Sequence, residues 1–107
     1  MAKKITITYQ DKTYTLEYTR NSVRQMERSG FVLEELDRKP MTMIPAMFAG
    51  AFLAHHPFVK QDKIEEIYGQ LKNKAKLLET LTEMFGEPYE TLIDDSNEGN
   101  ADWVSST

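Results

Sequence analysis

Residues 41–54 read MTMIPAMFAGAFLA, a run in which no side chain is charged. As a helix it would extend roughly 21 Å, short of the roughly 30 Å hydrocarbon core of a bilayer, so it is expected inside a folded domain and not across a membrane. Pro45 suits the first turn of a helix, where a missing N–H costs little; Thr42 is placed to cap that turn and Pro57 marks the end. Apolar side chains fall on nearly every side of such a helix, which predicts a central, mostly buried element spanning about residues 42–56.

On the N-terminal side of this run, Ile5, Ile7 and Tyr9 alternate with Thr6 and Thr8, and Tyr14, Leu16 and Tyr18 alternate with Thr13, Thr15 and Glu17. That period of two is the mark of half-buried strands. Gln10, Asp11 and Lys12 form a short polar link suited to a hairpin, without the glycine that would specify its turn type. A lone hairpin is marginal in water, so its apolar face must be covered by the helices that follow. Ser22 with Gln25 three residues on suggests a capping box, and Gly30 a helix end, which predicts a short helix carrying Val23 and Met26. Residues 31–40 read as a connector.

On the C-terminal side, Asp62 followed by Glu65 resembles a helix start, and Ile64, Ile67, Tyr68 and Leu71 then fall on one apolar stripe. Asn73 can cap a further helix whose face is Leu77, Leu78, Leu81, Met84 and Phe85, ending near Gly86, with Pro88 opening a last short turn. The expected fold is α+β: an N-terminal β-hairpin packed against about four to five α-helices in a single domain over residues 1–93, followed by a flexible acidic tail, 94–107.

At 107 residues, with 40% hydrophobic and 28% charged side chains, the composition is that of one globular domain. The absence of cysteine removes disulfides, thiolate nucleophiles and cysteine zinc clusters. The net charge of −4 resides in the tail, which holds Asp94, Asp95, Glu98 and Asp102 and no basic residue. No basic run offers the phosphate-neutralising face of a nucleic-acid binder. Met1–Lys4 leads straight into the first strand pattern with no apolar leader, so a cytoplasm is the expected compartment.

Catalytic apparatus is not visible in the pattern. His55 and His56 are adjacent, hence about 100° apart on a helix, and do not form the same-face pair that chelates a metal. They are expected to end the helix or bond to backbone. Glu34–Glu35, Glu65–Glu66 and Asp94–Asp95 are also adjacent, in charge-mixed surroundings that suit solvated faces better than paired acid–base work. No glycine-rich phosphate loop and no serine nucleophile motif is present, so no catalytic, cofactor-binding or metal residue is assigned. What stands out instead is the methionine and phenylalanine content of the central run: Met41, Met43, Met47, Phe48 and Phe52, with Phe58 just beyond. Methionine-rich surfaces adapt to varied apolar partners. The interior of the helix reads as core, while Met41, Met43 and Phe58 at its ends read as exposed contacts. Trp103, alone in the acidic tail, is either unburied or a short contact for a partner.

Taken together, ITITYQDKTYTLEYTR at 5–20, MIPAMFAGAFLAHHPFVKQDKIEEIYGQL at 43–71 and EGNADW at 98–103 resemble the tail assembly chaperones of siphophages and prophages of Gram-positive bacteria. The resemblance implies a non-enzymatic helper without cofactors that binds the long tape-measure protein, and in some cases the tail-tube protein, in the host cytoplasm. Such a helper would be absent from the mature virion. The alternatives are a structural virion component, a tail-tube or head–tail joining protein, which would be retained in particles, or another small protein-binding module.

Overall fold

The structure, a computed structural model, describes residues 3–93, 101 and 103–105; most of the tail expected to be flexible (94–100, 102, 106 and 107) lies outside the described residues. The elements follow one another as β1 (Ile5–Tyr9), β2 (Lys12–Leu16), α1 (Arg20–Arg28), a 3-10 turn (Leu33–Glu35), α2 (Pro40–Gly50), α3 (Gln61–Gln70) and α4 (Lys74–Ile93). This is the expected α+β arrangement of a hairpin followed by helices, four of them α-helical among the described residues.

The hairpin is antiparallel, with Ile7 opposite Tyr14 and Tyr9 opposite Lys12. Lys12 therefore belongs to the strand, and the link is the two residues Gln10 and Asp11, at φ of 51° and 66°. Two successive left-handed residues make the type I′ turn, whose twist matches that of the strands it joins. Aspartate tolerates this region. Ile7, Tyr14 and Leu16 are buried beneath the hairpin, and the threonines of β1 face solvent.

α1 begins earlier than the Ser22–Gln25 pair suggested. Thr19 is the cap, its side chain accepting from the Ser22 N–H at 3.0 Å while the Ser22 hydroxyl oxygen accepts from the Thr19 N–H at 2.9 Å. Serine thus fills the place usually held by glutamate or glutamine in the reciprocal box. Gly30, at φ +100°, closes the exit as expected.

α2 is the hub, touching α1, α3, α4 and the 3-10 turn. It differs from expectation at both ends. Pro40, and not Pro45, opens it; Thr42 is exposed, and the first intrahelical bond runs from the Met43 N–H to the carbonyl of Lys39 at 2.9 Å. Pro45 lies within the helix, where its missing N–H leaves the Met41 carbonyl without its usual partner; Met41 is on the surface, where water can serve that carbonyl. The helix stops at Gly50, short of the expected residue 56, because its last carbonyls find other donors. Tyr18 donates its hydroxyl to the Met47 oxygen at 2.6 Å, Ala51, Phe52 and Leu53 donate to Phe48, Ala49 and Gly50 in tight turns, and the carbonyl after these, Ala51, accepts from the Glu17 N–H at 3.0 Å.

α3 starts at Gln61 and buries Ile64 and Ile67. α4 follows Asn73, whose carbonyl accepts from the Leu77 N–H at 3.1 Å, and it runs unbroken through Gly86 and Pro88 to Ile93. A break near Gly86 was expected. Pro88 does forfeit a helical hydrogen bond, but its turn is held against α1: Pro88 is buried, the Arg20 guanidinium donates to the Thr91 carbonyl, and the Tyr89 hydroxyl donates to Glu27. The core between these elements is aromatic, with Phe48 edge-on to both Phe52 and Tyr68, and Phe85 edge-on to both Tyr18 and Phe31.

Candidate functional site

On the face of α2 turned toward the end of α1, small residues recur at Ala46, Ala49 and Gly50, one turn apart, and leave a half-open groove of about 470 Å³ that Phe31 also lines. The volume falls within the range of roughly 300–1,000 Å³ usual for ligand-sized sites. Met26 of α1 and Met43 and Leu53, before and after the small residues, form its walls, and Val59 and Ile64 close it toward α3. Gln25, Ser29, Thr42 and Gln61 supply the polar positions of its lining. Among the described residues none of the lining side chains is charged. Such a groove accepts uncharged apolar side chains readily and penalises an ionised one, which would be desolvated without a counter-charge.

A second hollow, about 640 Å³, lies where the hairpin turn meets residues 55–63, with Val59 common to both sites. Here Lys12, Lys60 and Lys63 stand near Tyr14, Asp62 and the two histidines. His56 Nε2 accepts the Thr15 N–H at 2.9 Å and its ring meets the Tyr14 ring edge-on, while His55 Nε2 pairs with Glu17 at 2.7 Å. One histidine is thus bonded to backbone, and neither is turned toward a shared ligand. Glu66 accepts from the Tyr9 hydroxyl at 2.6 Å and lies near Lys63, and these two contacts, the first foremost, lower its pKa. The bond to Glu66 in turn raises the pKa of Tyr9. Lys3 and Glu83 pair at 2.8 Å, which raises the lysine and lowers the carboxyl. Each of these is an ordinary surface pairing. Among the described residues no group of three or more acidic or histidine side chains is placed to hold a metal ion, and no helix is long and apolar enough to cross a membrane. Asp94 and Asp95 lie outside the described residues.

The seven residues expected to contact a partner are divided by the fold. Met41 (89% exposed), Phe58 (94%) and Trp103 (84%) project into solvent. Met47, Phe48 and Phe52 do not; they are sealed in the core, in keeping with the reading of the helix interior as core. Met43, 7% exposed, occupies the boundary, buried yet lining the groove. Sequence reasoning missed the floor of the groove, although the spacing of Ala46, Ala49 and Gly50 carried the signal: small side chains at i, i+3 and i+4 share one helix face. It also missed Met26, which reaches the same groove from α1.

The fold and the groove define a small hairpin-and-helix α+β domain with an uncharged concavity beside its central helix. The chain belongs to the family described as Domain of unknown function (DUF5055), whose model matches residues 1–107. No curated protein and no solved structure matches it.

Proposed function

We propose that this protein is a non-catalytic tail assembly chaperone that holds the tape-measure protein during tail-tube assembly, and that the groove beside α2 is where it takes the client's apolar side chains. The resemblance of residues 5–20, 43–71 and 98–103 supports the class of function. The observation that carries the site is the uncharged groove, floored by Ala46, Ala49 and Gly50 and walled by Met26 and Met43. Flexible methionines over a small-residue floor let one surface fit a succession of different apolar side chains, the property a holder of a long polypeptide needs. Met41 and Phe58, exposed at the two ends of the α2 segment, extend the apolar surface beyond the groove.

The test is co-purification of a tape-measure segment with the wild-type chain and with Ala46→Glu. Ala46 is half-buried at the groove floor, so the carboxylate can reach water while blocking the site. Charge at Met47 would report on folding instead, since that side chain is fully buried. Capture is expected to fall about tenfold or more in a variant whose circular dichroism is unchanged. Undiminished capture by folded Ala46→Glu removes the groove from the reading. Retention of the protein in purified particles would favour the structural virion component over the chaperone.

A further inference from the structure

The two outer edges of the hairpin are treated differently by the rest of the molecule. Tyr9 and Lys12 flank a two-residue turn, so the pairs that exchange both backbone bonds are Tyr9 with Lys12, Ile7 with Tyr14 and Ile5 with Leu16. The backbone groups of Thr6 and Thr8 on β1, and of Thr13 and Thr15 on β2, therefore point outward. On the β2 side the chain covers its own edge: Thr15 donates its N–H to His56 at 2.9 Å, and Glu17, just past the strand, donates to the Ala51 carbonyl at 3.0 Å. On the β1 side, among the described residues, no partner meets the N–H or carbonyl of Thr6 or Thr8.

An open edge is a template for another strand, and folded proteins that must stay apart shield it with proline, a bulge, an inward charge or a covering loop. Ile5–Tyr9 has no proline and no charge, and its pairing with β2 runs without a bulge. The nearest charges are both engaged elsewhere: Lys4 lies 4.0 Å from Glu17 across the hairpin, and Lys3 is drawn onto α4, its ammonium to Glu83 at 2.8 Å and its N–H to Glu87 at 3.0 Å.

We propose that the β1 edge is a self-association surface on which a second copy of this chain adds its own β1, antiparallel, to make one four-stranded sheet. The strand is its own complement. With a two-fold axis through Ile7, Thr6 faces the partner's Thr8 and Thr8 the partner's Thr6, and these are the residues whose backbone groups point outward. Ile7 then faces the partner's Ile7, and Ile5 the partner's Tyr9, so the apolar side chains of both copies stay on the helix-covered face. A slip of one residue would oppose inward-pointing groups and mismatch the faces. Like charges do not meet in this register, and Lys3 approaches the partner's Asp11. Because His56 and Ala51 already meet the Thr15 and Glu17 N–H groups of the β2 edge, Thr13 alone stays open along that strand among the described residues, too little to seat a further strand, and assembly closes at the dimer. The inference holds independently of the client reading.

Sedimentation velocity on the full chain, from low micromolar to near-millimolar concentration, should show a monomer–dimer equilibrium. Over the same range, amide exchange at Thr6 and Thr8 should slow while that at Thr13 does not. Thr8→Pro removes an N–H the hairpin does not use, and Ile7 before it is already extended as a pre-proline residue prefers. That variant should keep its circular dichroism and associate about tenfold more weakly or less still. A wild-type chain that stays monomeric with free exchange at Thr6 and Thr8 overturns the proposal, as does protection that appears only on adding another protein. If Thr8→Pro does not fold, the exchange experiment on the wild-type chain still decides.

Discussion

The two sides of α2 are built from one uncharged stretch, yet one is sealed and the other is open. Toward the hairpin and α3, Met47, Phe48 and nearby Phe52 are fully buried, the two phenylalanine rings edge-on to each other, Phe48 also edge-on to Tyr68 and Phe52 tilted against Tyr14. Toward the end of α1, Ala46, Ala49 and Gly50 leave the groove. Polarity does not separate the sides, because neither carries charge. Side-chain volume does: large residues fill the space between elements, and small ones leave it unfilled wherever the facing helix does not close in.

The sharpest way to break this comparison is to shrink the sealed side. Phe48→Ala removes a ring packed on two aromatic neighbours and should cost about 3–5 kcal/mol, read from the urea midpoint. Ala46→Ser on the open side should stay within about 0.5 kcal/mol of the wild type. Similar costs at the two positions would mean that the groove is closed in solution.

A smaller effect is expected where the sealed side ends. Tyr18→Phe leaves the Met47 carbonyl without its donor at the last turn of α2, a loss of about 1–3 kcal/mol at neutral pH. The same residue sets the alkaline limit. Burial pushes the Tyr18 hydroxyl far above the usual phenol value, so its contribution is complete below the unfolded pKa of about 10 and falls as pH rises beyond it, because only the unfolded chain ionises there. Wild-type stability should therefore drop by up to about 1.4 kcal/mol per pH unit above pH 10 from this group. Tyr18→Phe should flatten that slope, leaving the lesser contributions of Tyr9, raised by its bond to Glu66, and of Tyr89, raised to about 12 by partial burial and its bond to Glu27. An unchanged slope in the variant would show that the Tyr18 hydroxyl is not sequestered.

The hairpin and the identity of α3 were legible because period-two and period-3.6 patterns are local. The ends of α2 were not. Which proline opens the helix depended on where the 3-10 turn delivers the chain, and its stop at Gly50 depended on donors from Tyr18 and Glu17, far away in sequence. The same holds for Pro88, which reads as a break until Arg20 and Glu27 of α1 are brought to its turn. At the candidate site, apolar composition located the right segment but could not divide it, since core and groove residues there differ in size and in what faces them. Met41 and Phe58 fell outside the core because they flank the stretch, the one positional cue the sequence offered.

Gly50 lies between the two sides and tests the boundary most finely. A Cβ at this position would come within 2.3 Å of the Met26 sulfur, 2.5 Å of its methyl and 2.8 Å of its Cγ. The thioether end can swing, but Met26 is buried, so its displacement is opposed by what packs around it. Overpacking of this kind costs about 1–3 kcal/mol, offset by the roughly 0.5–1 kcal/mol by which alanine is preferred to glycine inside a helix, a gain that is only partial at its final residue. Gly50→Ala alone should therefore destabilise modestly, by about 1 kcal/mol. In a Met26→Ala background the clash is gone and the same substitution should become neutral or stabilising, a coupling of about 0.5–2 kcal/mol in a double-mutant cycle. Strict additivity would mean that Met26 does not rest on Gly50, and the groove would then lack the wall that the methionine supplies.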